Sequence, residues 1–574
     1  MELVVSCPEI PAARTSKVTP EFIMAANGRA FTRSVAAIQE RLGLRLGETV
    51  EFEGTDVITI KLTKAQLLEL RDLEVLRSVN LAGSLRNAGA PLPTLQDVYQ
   101  NPQQKASLLI QALHDHGWLG ASPNAQKKSV GVLEVNGINS AYDSHFAGIL
   151  TKRQQSYNGY DIHGARVACV IRNVTGSGYY GGGAPQATMA YAAWEPGGSE
   201  FLNSLAWLRQ NLPSHPIINC SFAYTPWWGG HERSSIRRHD LIFDINASTR
   251  TFDTYVVGAG FQDLCTDPNI GCCLTLGWTA DECNVVPWNG YNSIVVGSAD
   301  HDETRSYYSP WLNGPDKYAG DENNCYHLGN ETPHVAAKAN PVETPLDPYP
   351  IAGGTSMAAP AITAALACLQ SGYPEGRFHP WHYRAFLIAA GTTDAAPPDN
   401  ALWPSGAGTA DRTLGAGVPW LAALYHLSRA QCWGSSFALP AEYGNPSNAR
   451  YGYFDLFLPS TVPVGAYTTR TINVTTSSPC YMQFVLTWMS SPENVAVDDD
   501  MSTADELHLW VSSSSGEYWS HSTVNTTQRV GVYHDISGTR TYDLRVYLIT
   551  RRNTGSAIRG CVAIVPNPCS QLGN

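Results

Sequence analysis

The feature of this sequence best suited to chemistry is a serine that directly follows a glycine-led turn, Gly354-Thr355-Ser356-Met357-Ala358-Ala359-Pro360. The small apolar residues after the serine predict a buried, tightly packed helix that begins there. The first N–H groups of a helix have no intrahelical partner, and that end of the dipole is positive. An oxyanion formed by attack of Ser356 could therefore accept a hydrogen bond from its own amide. We expect Pro360 near the first turn, where proline costs least. An ordinary core helix capped by serine is the alternative.

A histidine upstream could serve as the base for this serine. It lies in Asp161-Ile162-His163-Gly164-Ala165-Arg166-Val167-Ala168, and Gly182-Gly183-Ala184-Pro185-Gln186-Ala187 follows as a turn into a strand. Together with the string around Ser356, these segments resemble the motifs of the subtilisin-like serine peptidases, with Ala165 and Arg166 as less usual choices. The resemblance implies that His163 takes the Ser356 proton and returns it to the leaving amine. A solvated or packed histidine is the alternative.

The expected third member is an acid at the end of the first strand of the catalytic region. Val130–Ile138 resembles the strand that carries the family's aspartate, but Glu134 occupies that position. A carboxylate there holds the imidazole tautomer and stabilises the imidazolium. Glutamate can do both if the backbone lies one methylene further away. A merely structural glutamate is the alternative, because Asp143 and Asp161 lie nearby but do not end the first strand.

The region expected to stabilise the oxyanion departs from the family pattern. Val256–Phe261 resembles the segment that normally finishes with an asparagine donor, and Phe261 cannot donate a hydrogen bond. In subtilisin itself, loss of that donor costs about a hundred- to a thousandfold in turnover. Gln262 could supply an amide if the loop is bent differently. Otherwise the protein would be a slow enzyme or a peptidase-like binder.

Substrate binding is expected on the strand Ile217–Ala223, which resembles the edge on which subtilases pair with extended peptides. Such pairing supplies backbone hydrogen bonds, while side-chain pockets give specificity. Ala223 stands where the family usually has glycine, which implies a narrower pocket mouth. The expected substrate-contact residues are Ser221, Phe222, Ala223, Ala259 and Gly260.

These residues need a scaffold, and strands and helices alternate from residue 103 to residue 430. This alternation predicts an α/β unit with a parallel sheet flanked by helices, which the resemblance makes subtilisin-like. The predicted strands are Ser129–Val135, Ala187–Tyr191, Pro216–Phe222, Tyr255–Gly258 and Ser293–Gly297.

Two further units flank the predicted catalytic unit. Residues 20–88 read as helix, strand, helix and strand, which predicts a small α+β, ferredoxin-like domain with helices at 31–42 and 63–70 and strands at 57–60 and 75–79. It resembles the subtilase pro-segment, an intramolecular inhibitor, and implies latency relieved by cleavage near Leu85–Pro93; an unrelated α+β domain is the alternative. Residues 436–574 show short β-rich runs that predict an all-β sandwich, similar to jelly-roll or pre-peptidase modules.

Composition excludes some classes of function. The net charge is −12 and no basic stripe is present, which argues against nucleic-acid binding. Paired C-x-x-C motifs are missing, so we expect no zinc site, and no organic cofactor is implied. Asp498, Asp499 and Asp500 could bind a structural Ca²⁺, although a solvated acidic loop is the alternative. The expected partners are a peptide or protein substrate and the chain's own pro-segment.

The location of the protein stays open at this level. Residues 1–19 show no basic start followed by an apolar run, and we expect no membrane span, because polar residues interrupt the charge-free stretch Ile351–Cys368. Only 15% of residues are charged, which favours an exported protein, and a cytoplasmic one is compatible. The 13 cysteines leave an odd residue, and spacing alone does not give their pairing.

Three hypotheses follow. The first is an endopeptidase that forms an acyl-enzyme on Ser356, with His163 as base and Glu134 as orienting acid. The second is a catalytically impaired subtilase fold that binds peptides or proteins, suggested by Phe261 and Glu134. The third is a Ser-Glu-Asp carboxyl peptidase, a family that has no histidine motif like the one at His163.

Overall fold

The computed structural model describes most of the predicted catalytic unit and much of the C-terminal region. The described residues are 21–26, 49–51, 57–61, 76–81, 85–87, 110–153, 160–173, 182–194, 200–224, 243–244, 246–250, 252–260, 292–300, 305–306, 309, 333–339, 342–346, 351–373, 378–391, 414–430, 451–476, 479–489, 505–520, 526–551 and 557–566. The predicted helices at 31–42 and 63–70 lie outside these ranges, as do Phe261, Gln262 and Asp498–Asp500.

The N-terminal region contributes an antiparallel sheet of four strands, in the order β2-β3-β1-β4. The strands are β1 (Glu21–Ala26), β2 (Thr49–Glu51), β3 (Val57–Lys61) and β4 (Leu76–Leu81). The predicted strands near residues 57 and 75 are therefore confirmed. The sequence pattern does not predict β1, because Met24, Ala25 and Ala26 are residues that favour helices. A fifth strand, β5 (Leu85–Asn87), leaves this sheet and pairs elsewhere.

The middle of the chain forms a parallel sheet of seven strands, in the order β15-β14-β13-β11-β6-β10-β8. The strands of this region are β6 (Val130–Val135), β7 (Gly137–Ile138), β8 (Leu150–Arg153), β9 (Tyr160–Asp161), β10 (Met189–Trp194), β11 (Ile217–Cys220), β12 (Phe222–Tyr224), β13 (Thr254–Gly258), β14 (Ile294–Ala299), β15 (Val335–Lys338), β16 (Val342–Glu343) and β17 (Ile351–Ala352). All five predicted strands are confirmed within two or three residues. Their carboxyl ends share one edge, where parallel α/β sheets place their sites.

Helices cover both faces of this sheet. They are α1 (Gln111–His114), α2 (Ile162–Ile171), α3 (Glu200–Asn211), α4 (Thr355–Ser371), α5 (Pro380–Ala389) and α6 (Leu421–Arg429), with a 3₁₀ turn at Ser140–Phe146 and a π turn at Asn246–Arg250. In the part of the chain that is described, none of these helices has the length and apolarity needed to cross a membrane.

Alternation along the strands assigns side chains to the two faces. Val130, Val132 and Tyr191 belong to the core that contains α2 and α4, whereas Leu133 and Ala192 belong to the core beneath α3. Successive side chains of a strand point to opposite faces, so a residue's parity decides which helices it meets. Even-numbered residues of β6 therefore face α2 and α4.

The C-terminal region forms two antiparallel sheets of four strands, in the orders β18-β25-β20-β23 and β19-β24-β21-β22. The strands are β18 (Gly452–Leu458), β19 (Tyr467–Thr476), β20 (Cys480–Trp488), β21 (Glu506–Ser513), β22 (Gly516–Ser520), β23 (Thr527–His534), β24 (Gly538–Thr550) and β25 (Ile558–Pro566). Side chains from both sheets, among them Phe484 and Leu544, share one hydrophobic core.

The C-terminal strands also pack against the catalytic unit. Val485 of β20 and Ala563 of β25 belong to the same core as Trp381 and Phe386 of α5. The sequence predicts a domain boundary between residues 430 and 436, but the apolar core continues across it. The two units are therefore joined by buried apolar surface as well as by the chain.

Candidate active site

Glu134 and His163 meet at the carboxyl edge of the parallel sheet. Glu134 is the fifth residue of β6 and is fully buried, and His163 is the second residue of α2. The His163 Nδ1 atom lies 3.4 Å from Glu134 Oε2. The other carboxylate oxygen, Oε1, accepts a hydrogen bond of 3.0 Å from the Val135 amide. The predicted acid thus lies beside the ring nitrogen that an orienting acid must face.

Ser356 is the second residue of helix α4, which starts where the glycine-led turn predicts. The residue before the helix, Gly354, has a backbone φ of 113°, a value that residues other than glycine rarely adopt. Ser356 is fully buried, and its hydroxyl donates a hydrogen bond of 3.2 Å to the Ser221 carbonyl oxygen. Its amide is in the first turn, where a helix supplies no acceptor. Helices α2, which carries His163, and α4, which carries Ser356, pack on each other.

Pro360 corrects one expectation about this helix. It is the sixth residue of α4, beyond the first turn, and it has no N–H to donate to the carbonyl of Ser356 four residues earlier. The Ser221 hydroxyl donates to that carbonyl at 2.8 Å and accepts a hydrogen bond of 2.9 Å from the side-chain amide of Asn219. Ser221 therefore supplies the partner that the proline removes.

Thr355 links helix α4 to the segment that precedes the predicted oxyanion region. Its hydroxyl donates to the Gly260 carbonyl at 2.7 Å and accepts from the Gly260 amide at 3.1 Å. A methyl group on Gly258 would lie 3.0 Å from the Thr355 carbonyl oxygen, so the two segments approach closely. No motif in the sequence predicts this role of Thr355. The only signal for it was its place between the turn glycine and Ser356.

Several of the residues expected to contact substrate already make contacts within the protein. The side chains of Phe222 and Ala259 lie in the core beneath α3, so they could contact a substrate only through their backbone. The Ser221 hydroxyl is occupied by the nucleophile helix. The backbone of Ala223 pairs with Arg86.

The strand expected to bind substrate is paired with the chain's own N-terminal region. β5 pairs with β12 in antiparallel register, with Phe222 opposite Asn87 and Tyr224 opposite Leu85. Antiparallel pairing of an extended segment with an exposed strand is the mode by which many proteins bind peptides. A peptide-like segment of the chain therefore lies on the expected substrate strand.

Tyr191 was also missed by the sequence analysis. Its hydroxyl donates a hydrogen bond of 2.9 Å to the carbonyl of Asn136, the residue that follows β6. A methyl group on Gly164, next to His163, would overlap this hydroxyl and lie 3.0 Å from Cζ of the ring. The phenol thus contacts both the Glu134 strand and the His163 helix.

Two buried groups of the parallel-sheet unit, Cys220 and His334, have shifted pKa values. Burial, and then the negative charge of Glu134, raise the pKa of the Cys220 thiol well above its ordinary value, so this thiol stays protonated. His334 accepts a hydrogen bond of 2.9 Å at Nδ1 from the Val295 amide, and burial lowers its pKa well below the usual range. Among the described residues, no three His, Cys, Asp or Glu side chains are grouped to hold a metal ion.

Comparison with known proteins places the segment that forms this sheet in a family. The family model described as the subtilase family, Peptidase_S8, matches residues 131–417, half of the chain. Among curated proteins, no match is found. The solved structure of the MycP3 protease from the type VII (ESX-3) secretion system is 16% identical, with a TM-score of 0.36 over 60% of this chain and 94% of that one.

A second solved structure is that of a mutant of the epidermin leader peptide processing serine protease (EpiP) from Staphylococcus aureus. It is 13% identical, with a TM-score of 0.46 over 71% of this chain and 99% of that one. The family model spans the parallel sheet from β6 to the segment before α6, and it includes both the His163 and the Ser356 motifs. The chain belongs to the subtilase family.

Proposed function

We propose that this subtilase is a serine endopeptidase that forms an acyl-enzyme on Ser356, with His163 as general base and Glu134 as orienting acid. The observation that carries the proposal is the 3.4 Å approach of His163 Nδ1 to the buried carboxylate of Glu134. A carboxylate at Nδ1 keeps the proton on that nitrogen, which leaves Nε2 free to act as a base. Serine peptidase activity is the function that the family supports.

The reaction would proceed in two displacements. The Ser356 oxygen attacks the peptide carbonyl while its proton moves to His163 Nε2, and the tetrahedral adduct then collapses with transfer of that proton to the leaving amine. Water repeats the sequence on the ester and regenerates Ser356. Glu134 stays ionised beside Nδ1 throughout and stabilises the imidazolium. No organic cofactor is required.

Oxyanion stabilisation is where we expect this enzyme to be weak. The Ser356 amide, in the first turn of α4, can donate to the oxyanion. Phe261 takes the place of a side-chain donor, and the loss of one such donor lowers turnover about a hundred- to a thousandfold. We therefore propose slow turnover unless Gln262 supplies the second hydrogen bond.

The N-terminal unit, residues 20–88, is proposed to inhibit this site as a pro-segment. The order β2-β3-β1-β4 is that of a ferredoxin-like sheet, and β5 pairs with the expected substrate strand β12. The paired segment ends at Asn87, opposite Phe222, and the carbonyl oxygen of the preceding residue, Ser221, is 3.2 Å from the Ser356 hydroxyl oxygen. We therefore propose self-cleavage between Ala88 and Gly89.

The C-terminal unit, residues 436–574, is proposed to be a jelly roll that follows the catalytic unit of residues 103–430. The strand orders β18-β25-β20-β23 and β19-β24-β21-β22 support this assignment, because each sheet alternates strands from distant parts of the chain. Peptides or proteins are the proposed substrates, and the pro-segment is the proposed internal partner.

A fluorophosphonate probe, which reacts covalently with an activated serine, tests the catalytic proposal. The full chain should be labelled, and Ser356→Ala and His163→Ala should abolish labelling, while Ser515→Ala, in an exposed turn, should not change it. Intact mass should reveal loss of the first 88 residues from the wild type and not from Ser356→Ala. Labelling that persists in Ser356→Ala would contradict the proposal.

The second candidate is a peptide-binding subtilase fold without turnover. Phe261 in place of a donor favours it, as does the commitment of the Ser356 hydroxyl to the Ser221 carbonyl. It predicts peptide binding with no labelling and no shortening of the chain. A Ser-Glu-Asp carboxyl peptidase would instead be active in acid and would not depend on His163.

A further inference from the structure

We propose that Tyr191 is a positioning residue that holds β6 and α2 at the separation that a glutamate, rather than an aspartate, requires. This inference rests on the proposed function for its effect on catalysis, but its geometric content can be tested separately. Tyr191 belongs to neither the His163 nor the Ser356 motif, and it lies within the sheet, one strand away from Glu134.

The phenol of Tyr191 is fixed at both ends. The residue is fully buried on β10 and stands opposite Val132 in the parallel register, two positions before the pair Ala193 and Glu134. Its hydroxyl reaches past the end of the sheet to the carbonyl of Asn136, at 2.9 Å. Because the ring is buried and its far end is hydrogen-bonded, it cannot turn aside without breaking that bond.

The ring meets the catalytic helix at Gly164. A methyl group there would overlap the Tyr191 hydroxyl and lie 3.0 Å from Cζ and 3.3 Å from Cε2. Side-chain atoms at such distances leave no space, so glycine and tyrosine form a matched pair. Since Gly164 follows His163 directly, the ring sets how closely the start of α2 can approach the sheet.

This separation matters because Glu134 is one methylene longer than the aspartate of the family motif. The small side chain of Ala193, opposite Glu134, adds no bulk beside the carboxylate, so its position depends on the spacing between strand and helix. With Tyr191 in place, Oε2 lies 3.4 Å from His163 Nδ1. Without the ring, α2 could settle toward β6, and the longer acid would have to fold back from the imidazole. An aspartate would then fit better than a glutamate.

The test is a double-variant cycle on the full chain, read by the rate of fluorophosphonate labelling. Tyr191→Phe keeps the ring, and its labelling rate should fall about threefold, which corresponds to the loss of one hydrogen bond. Tyr191→Ala should lose about thirtyfold and Glu134→Asp about a hundredfold, because misplacement of the catalytic pair is costly. The combined variant Glu134→Asp/Tyr191→Ala should label at least about tenfold faster than the product of the two single losses predicts.

Tyr383→Ala is the matched control, because Tyr383 is also a fully buried tyrosine but lies on α5, away from the site. Combined with Glu134→Asp, it should show simple multiplication of the two losses. The pH profile adds a readout that a cavity alone would not move. With a more distant carboxylate the imidazolium is less stabilised, so the midpoint of the acid limb should move to lower pH in Tyr191→Ala and not in Tyr383→Ala.

If the falls in labelling rate of the single variants multiply in the Tyr191 cycle, as they are expected to in the Tyr383 cycle, the inference is overturned and the proposed function stays intact. If the wild-type chain is not labelled, the proposed function fails, and the spacing is decided by crystal structures of Ser356→Ala with and without Tyr191→Ala. A changed distance between Nδ1 and Oε2 supports the inference. An unchanged distance refutes it.

Discussion

Arg384 donates a hydrogen bond of 2.8 Å from Nη2 to the carbonyl oxygen of Thr526, and so joins helix α5 to the C-terminal sandwich. The same nitrogen donates to the hydroxyls of Thr526 and Thr527. Close by, the Thr487 hydroxyl donates to the Trp381 carbonyl at 2.7 Å. The junction between the two units therefore combines buried hydrogen bonds with a shared apolar core.

Replacement of Arg384 should weaken this junction. Burial lowers the pKa of its guanidinium to about 9, with the charge of Asp244 acting in the opposite direction. Arg384→Met leaves the buried threonine acceptors without their donor, and we expect the free energy of unfolding to fall by about 1–3 kcal/mol. Urea denaturation of the Ser356→Ala chain measures it, with the surface variant Arg429→Met as control. Equal midpoints for the two variants would show that the network contributes little.

Truncation tests the continuity of the core. A chain that ends at residue 435 would expose the side of α5 that β20 and β25 cover, including Trp381 and Phe386. Loss of that apolar burial should leave the remaining unit insoluble or without a cooperative unfolding transition. Circular dichroism on heating, beside the full chain, provides the measurement. A soluble fragment with a sharp transition would mean that the sandwich is separable.

Acid should destabilise the protein through His379 at the same junction. Burial first, and then the nearby charges of His382 and His215, lower the pKa of His379 to about 3 from an ordinary value of 6.5. Below pH 6.5 the unfolded chain binds a proton that the folded chain refuses, so stability falls as the pH drops from 6.5 toward 3. His379→Gln should flatten this part of the profile.

Urea midpoints at several pH values between 7.5 and 4 measure the effect of His379. His116→Gln, at an exposed histidine, is the control and should leave the slope unchanged. An identical slope in His379→Gln and wild type would assign the acid sensitivity to other groups.

Ser221→Ala should affect both stability and reactivity. It removes the hydrogen bond to the Ser356 carbonyl that Pro360 cannot supply. A buried carbonyl left without that donor costs about 1–3 kcal/mol. Because the carbonyl belongs to the proposed nucleophile, Ser356, labelling by the fluorophosphonate should also slow about tenfold.

The control for Ser221 is Ser371→Ala, at the far end of the same helix, where the hydroxyl donates to the Cys368 carbonyl at 2.7 Å. That variant should lose stability and keep the wild-type labelling rate. Equal labelling by the two variants would show that Ser221 has no role in placing Ser356.

Thr355→Val should loosen the link between the nucleophile helix and Gly260. The valine has nearly the same shape but lacks the hydroxyl that bonds both the amide and the carbonyl of Gly260. We expect the labelling rate to fall about tenfold or more, with Thr355→Ser retaining most of the activity. If the valine variant labels as fast as the serine variant, the link does not matter for reactivity.

The local sequence determines many of the secondary-structure elements of this protein. Short β-branched runs such as those of β6 and β13 predict their strands because alternation and propensity are properties of adjacent residues. The turn at Gly354 and the helix that follows it also depend on adjacent residues. The turn needs a glycine because its φ is 113°, and the small apolar side chains after Ser356 favour the buried helix. The strands predicted at 57–60 and 75–79 have the same local basis. The alanines and the methionine of β1 carry no strand signal, so the sequence does not predict that strand.

Only the tertiary structure decided the contacts between distant segments. The matching of Tyr191 to Gly164, the donation from Ser221 to the carbonyl that Pro360 leaves open, and the pairing of β5 with β12 each join parts of the chain that no local pattern connects. The apolar core that α5 shares with β20 and β25 also joins distant parts of the chain. Periodicity tells which face of an element is buried, but what it is buried against depends on the packing of the whole chain.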